Sequence, residues 1–105
     1  NGCVFCASVH ARAAAQVSDR ADDVDRLLAE GTSADLGDRW NAIVAASEAL
    51  TRTPIAFGAE HVERLRSVGR GEQEIVDVIQ SAAFFNWANR LMLTVGRAVA
   101  PGATI

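Results

Sequence analysis

The chain has 105 residues and a mass of 11.1 kDa, enough for one domain or part of one. Half of the residues are hydrophobic, many of them alanine, and 22% are charged, which excludes the composition of a disordered chain. A net charge of -3 and a pI near 5.2 leave no electrostatic footprint for nucleic acid or an anionic membrane, although all ten basic residues are arginine.

In chain order the pattern predicts helices nearly throughout, with no alternating strand pattern and no repeat, so the expected class is all-α. Asn1 reads as the N-cap of a helix over Gly2 to Gln16, rich in alanine and high in helix propensity, with a helix that begins upstream of Asn1 as the equal alternative. Ser18 reads as the cap of a second helix, with Asp19, Asp22 and Asp23 at the positive end of its dipole. Val24, Leu27 and Leu28 are its expected buried stripe and Gly31 its stop. A third helix is expected from about Asp35 to Leu50, burying Leu36, Trp40, Ile43, Val44, Ser47 and Leu50. Thr51 to Gly58, with Pro54, reads as a linker. Ala59 to Val68 reads as a short helix burying Val62, Leu65 and Val68, ended by Gly69. Glu72 to about Val95 is the longest and most apolar helix, and Gly96 to Ile105 reads as a loose tail. The best candidate for a membrane span, Ser81 to Val95, is interrupted by Asn86, Asn89 and Arg90, so no membrane association is expected. No signal peptide is visible, and a cytoplasmic location is expected. The chain opens at Asn1 without a methionine, and its start is expected to lie inside a larger protein.

The chemistry concentrates in the first helix. Its only two cysteines and one of its two histidines stand as Cys3-x-x-Cys6-x-x-x-His10. At about 100° per residue a helix carries these three side chains within roughly 60° of one another. A structural disulfide is one reading, but a four-residue loop is the least stabilising kind to close. A zinc site is another, with His61 as a fourth ligand, yet structural zinc usually joins two ligand-bearing turns and only one is present. A c-type haem site needs histidine where Ala7 stands, and a thioredoxin-like site needs a βαβ context. Redox chemistry of the pair is therefore the leading reading. Cys6, one turn from His10, can hand over its proton and react as thiolate, with Cys3 placed to close the disulfide. The reverse order remains open, because Cys3 lies nearer the helix dipole. Val4 and Phe5 are expected to pack and limit access of solvent.

These residues resemble the carboxymuconolactone decarboxylase and alkylhydroperoxidase (AhpD-like) superfamily. NGCVFCASVH, Asn1 to His10, is similar to its Cys-x-x-Cys-x-x-x-His helix. HVERLRSVGRGEQEIVDVIQSAAFFNWANRLMLTVG, His61 to Gly96, is similar to the closing helices of the peroxidase-related branch, including the run at Phe85, Asn86, Asn89 and Arg90. The resemblance implies an AhpD-like helical bundle, with 1–105 as the C-terminal part of one such domain and its N-terminal helices absent from the chain. It implies a thiol-dependent peroxidase or disulfide reductase that takes hydroperoxides. Cys6 would be the peroxidatic cysteine, Cys3 the resolving one and His10 the proton relay. No cofactor is implied beyond an external dithiol or a redox partner protein, and a homo-oligomer is expected. The family's relay glutamate would lie upstream of Asn1. A structural or zinc-bound helical module, and a decarboxylase-like lyase, are the alternatives.

Asn86, Asn89 and Arg90, at i, i+3 and i+4, form a polar patch on an apolar helix. They are expected either to wall the thiol pocket or meet another subunit, or to form a solvated stripe. His61 is expected at the surface or as a helix cap, and Trp40 and Trp87 as core or interface anchors. Asp19, Asp22, Asp23 and Asp25 lack the glycine-bearing loop of a calcium site.

Overall fold

The computed structural model describes residues 1–96, and the expected tail beyond Gly96 lies outside them. These residues form five α-helices and one short 3₁₀ turn: α1 (Val4–Ser18), α2 (Ala21–Glu30), η1 (Gly31–Ser33), α3 (Asp38–Thr51), α4 (Ala59–Ser67) and α5 (Glu72–Val95). No strand occurs among the described residues, as the pattern predicted.

Three helix starts move, each for a local reason. Helix α1 starts two residues later than expected, because Gly2 takes a φ of +78° and Cys3, not Asn1, is the N-cap. At its other end Ser18 is not the N-cap of α2, although its Oγ accepts the Arg20 N–H at 3.3 Å. Its hydroxyl donates back to the Ala14 carbonyl, and the helix closes on Asp19 in the left-handed conformation at φ 55°. The N-cap of α2 is Arg20, whose Nε donates to Asp23 Oδ2 at 2.6 Å. Helix α3 begins at Asp38 rather than Asp35, since Gly37 sits at φ 91°. Asp35 instead braces this turn, accepting from Gly37 N at 3.1 Å and Asn41 Nδ2 at 3.0 Å. The Asn41 bond, then the Gly37 bond, holds the Asp35 carboxyl below the usual aspartate range.

The buried face of α3 differs from expectation. Ala42, Ala46 and Ala49, at i, i+4 and i+7, are buried, whereas Ile43, Val44, Ser47 and Leu50 are only half-buried. Small side chains let α3 lie close against α4 and α5, and the larger ones close the flanks. The core is Ala42, Ala46, Leu65 and Ile75, with Ile43, Phe57, Val62, Val68, Val78 and Ile79 packed around it.

Helices α1 and α2 form a hairpin at one end of a molecule measuring 48 × 31 × 23 Å. Neither contains a buried residue. The expected α2 stripe is not covered: Leu28 is exposed, and Val24 and Leu27 border an open apolar cleft of about 300 Å³ with Leu36 and Trp40. Trp40 is half-buried, with the guanidinium carbons of Arg20 and Arg39 at 5.5 and 5.9 Å from its ring centre. Further exposed apolar side chains are Val4, Phe5 and Val9 on α1 and Phe84, Trp87, Leu91 and Met92 on α5. The accessible surface is 7236 Å², against about 5,700 Å² for a compact monomer of this mass. In α5 Ile75 is buried and Val78 and Ile79 pack on the core, whereas further along Phe85, Asn86 and Asn89 are half-buried and Phe84, Trp87, Leu91 and Met92 are exposed.

Candidate functional site

The site begins where the chain enters α1. Cys3 stands at the N-cap with extended dihedrals, and its Sγ accepts the Cys6 backbone N–H at 3.3 Å. Helix entry brings the two Cα atoms to 5.3 Å, and the sulfurs are joined as a Cys3–Cys6 disulfide. Cys3 is 8% exposed, while Cys6, one turn into the helix, is only half-buried. His10 follows one turn further along α1.

All three border an open cleft of about 420 Å³, whose far wall is Phe85 and Asn89 of α5. The His10 and Phe85 rings meet edge to face, with centres 4.6 Å apart and planes at 72°. Asn1 closes one end of the cleft. Its Nδ2 donates to Asn86 Oδ1 at 2.9 Å and to Asn89 Oδ1 at 3.2 Å, which ties the thiol segment to α5 across the whole chain. Asn86 is the junction, donating also to Leu50 O at 3.4 Å and Thr51 Oγ1 at 3.3 Å at the end of α3.

The polar patch on α5 thus divides. Asn89 walls the thiol cleft, and Asn86 supports it through Asn1. Arg90 turns away to donate to Thr53 Oγ1 at 3.1 Å. Val4 and Phe5 do not shield the cysteines, being 70% and 52% exposed. Both stand in the first turn of α1, Val4 at the lining of the open cleft itself. Trp87 is likewise no core anchor, at 61% exposure. His61 is not near a ligand set. Its Nδ1 accepts Gly58 N–H at 3.0 Å to cap α4, and its ring stacks on Phe57 at 5.3 Å. Among the described residues no three histidine, cysteine or acidic side chains are grouped to hold a metal ion. Joined sulfurs are also unavailable as thiolate ligands.

Two features of the site escaped sequence reasoning. Asn1 reads locally as a helix cap, and nothing near it in sequence signals a bond to residues 86 and 89. The contact of Phe85 with His10 is equally non-local, although Phe85 stands beside the polar run that marks α5. No protein-family model matches the chain, and no curated protein matches it significantly. No described helix is long and apolar enough to cross a membrane.

Proposed function

We propose that the protein is a thiol-dependent peroxidase or disulfide reductase, built on an AhpD-like bundle and working in the cytoplasm. The observation that carries this reading is the Cys3–Cys6 disulfide facing an open cleft that His10 shares. In the reduced protein, the Cys6 thiolate attacks the outer oxygen of a hydroperoxide. The O–O bond breaks, the alcohol leaves with a proton that His10 is placed to relay, and Cys6 becomes a sulfenic acid. The Cys3 sulfur then attacks Cys6, a hydroxide leaves as water after taking up a proton, and the disulfide closes. An external dithiol reduces it, becomes oxidised itself and restores both thiols. The exposure of the two residues favours this order, since Cys6 is less buried than Cys3.

The bond contributes little as a staple. Closing a four-residue loop is worth about 2 kcal/mol in the chain-entropy account, against about 3 for fifteen residues. Reversibility is the test. Mass spectrometry of the oxidised protein should show a Cys3–Cys6 bond lost with dithiol and regained with mild peroxide. Two free thiols persisting under peroxide would defeat the proposal.

A homo-oligomer belongs to the same reading. The two helices that border the thiol cleft, α1 and α5, also carry exposed apolar side chains, among them Val4 at the cleft itself. Sedimentation of the full-length protein at micromolar concentration should show a dimer or larger assembly. A monomer at that concentration would refute it.

A further inference from the structure

Of the four asparagines, only Asn1 is followed by glycine; Asn41, Asn86 and Asn89 precede Ala42, Trp87 and Arg90. An Asn-Gly pair is the dipeptide most open to intramolecular cyclisation, because the residue after the asparagine has no Cβ to hinder its own backbone nitrogen. Asn1 and Gly2 are both exposed, and the space around the Gly2 Cα is open, with no atom within 4 Å of where a Cβ would lie.

We propose that Asn1 is a spontaneous deamidation site whose conversion unties the thiol segment from α5. The Gly2 backbone nitrogen attacks the Asn1 Cγ, a C–N bond forms, and the Nδ2 amide leaves as ammonia with the proton lost from Gly2. Water then opens the cyclic imide on either side, giving aspartate or isoaspartate at position 1. No electrons are transferred.

The leaving atom decides the consequence. Nδ2 is the donor to both Asn86 Oδ1 and Asn89 Oδ1, at 2.9 and 3.2 Å. Its replacement is a carboxylate, an acceptor-only group facing two carbonyl oxygens that have lost their donor. Like acceptors repel, and Asn86 cannot turn its amide to compensate without giving up the bonds its Nδ2 makes to Leu50 O and Thr51 Oγ1, so the double tie to Asn86 and Asn89 is lost. The new negative charge also borders the cleft that holds Cys6 and His10, where it disfavours a thiolate. Modification therefore loosens the entry to α1 and places an anion beside the sulfur pair. The deamidation and the untying do not depend on the thiol chemistry proposed above.

The experiment is prolonged incubation of the full-length protein at neutral pH and physiological temperature, followed by peptide mapping that separates asparagine, aspartate and isoaspartate. Conversion is expected at Asn1, with Asn41, Asn86 and Asn89 intact. Gly2→Ala should slow it severalfold. Because alanine at φ +78° is strained, Asn1→Gln serves as a second variant, retaining an amide but cyclising much more slowly. Hydrogen exchange reads the untying: amide protection in the first turns of α1 should fall in the converted protein and in Asn1→Asp alike, and be retained in Asn1→Gln. If Asn1 stays intact in the folded protein while the urea-unfolded chain converts, the proposal is overturned. It is equally overturned if conversion leaves exchange in α1 unchanged. None of these readouts uses peroxide turnover, so failure here and failure of the peroxidase reading are separable.

Discussion

Cys6→Ser is expected to abolish hydroperoxide consumption by the intact protein, a loss of about three orders of magnitude or more. A serine hydroxyl is not ionised at neutral pH and cannot take the place of a thiolate that attacks oxygen. Cys3→Ser should behave differently. It leaves Cys6 beside the cleft and His10 one turn away, so the first step proceeds and the sulfenic acid has no partner to condense with. A sulfenate-selective reagent should therefore label Cys6 in Cys3→Ser and give no label in Cys6→Ser. The burial of the two residues sets this expectation: Cys3 is 8% exposed at the N-cap, in the segment that Asn1 ties down, and Cys6 is half-buried. The helix N-terminus opposes it, since the Cys6 N–H points at the Cys3 sulfur and stabilises charge there. Access outweighs the dipole if the peroxide must reach the sulfur it oxidises. Label on Cys3 in a Cys6→Ser protein that still turns over would reverse the assignment.

What could be read in advance follows how local each signal is. Five helices were legible because their stripes and stops lie within a few residues: Gly31 ends α2, and Glu72 to Val95 runs between Gly71 and Gly96 with no glycine or proline to interrupt it. The alignment of Cys6 and His10 was legible for the same reason, four residues apart on one helix. The start of α1 was not, because Gly2 at positive φ moves the cap to Cys3, and a cysteine is not a residue that propensity selects there. The buried face of α3 was misread because hydrophobicity favours Trp40, Ile43 and Leu50, whereas close approach of α4 and α5 favours Ala42, Ala46 and Ala49. Nothing in the first helix announces Asn86 and Asn89 as partners of Asn1, since a bond spanning most of the chain leaves no spacing to read. The same limit hid the exposure of Val4 and Phe5: an apolar pair marks a surface that can be covered, and only the arrangement of α1 and α5 shows whether it is.

Leu65→Ala is expected to cost about 2–5 kcal/mol, the range for truncating a fully buried leucine. Leu65 has no exposed surface and is the one large side chain below 2% exposure among the described residues. Its neighbours in the core are Ala42, Ala46 and Ile75. Two of the three are alanines on α3, with no side-chain length to swing into the space a missing isobutyl group leaves. The cavity therefore stays open, which places the cost toward the upper part of the range. A domain this size has about 5–15 kcal/mol in total, and each kcal/mol moves the midpoint by about 4–8 °C. Thermal unfolding followed by circular dichroism should accordingly show a fall of well over 10 °C, or no cooperative transition at all. Leu28→Ala is the control, because Leu28 is 57% exposed and its removal should stay within about 0.5 kcal/mol. The loss should also fall unevenly. Leu65 joins α4 to α3 and α5, while the α1–α2 hairpin meets the remainder through η1 and through the contacts of Asn1 and His10 with α5, so hydrogen exchange should rise first in α4 and the first half of α5. Equal midpoints for Leu65→Ala and Leu28→Ala would mean that the stability of the protein does not reside in this core, and the covered faces of α1 and α5 in an assembly would have to supply it.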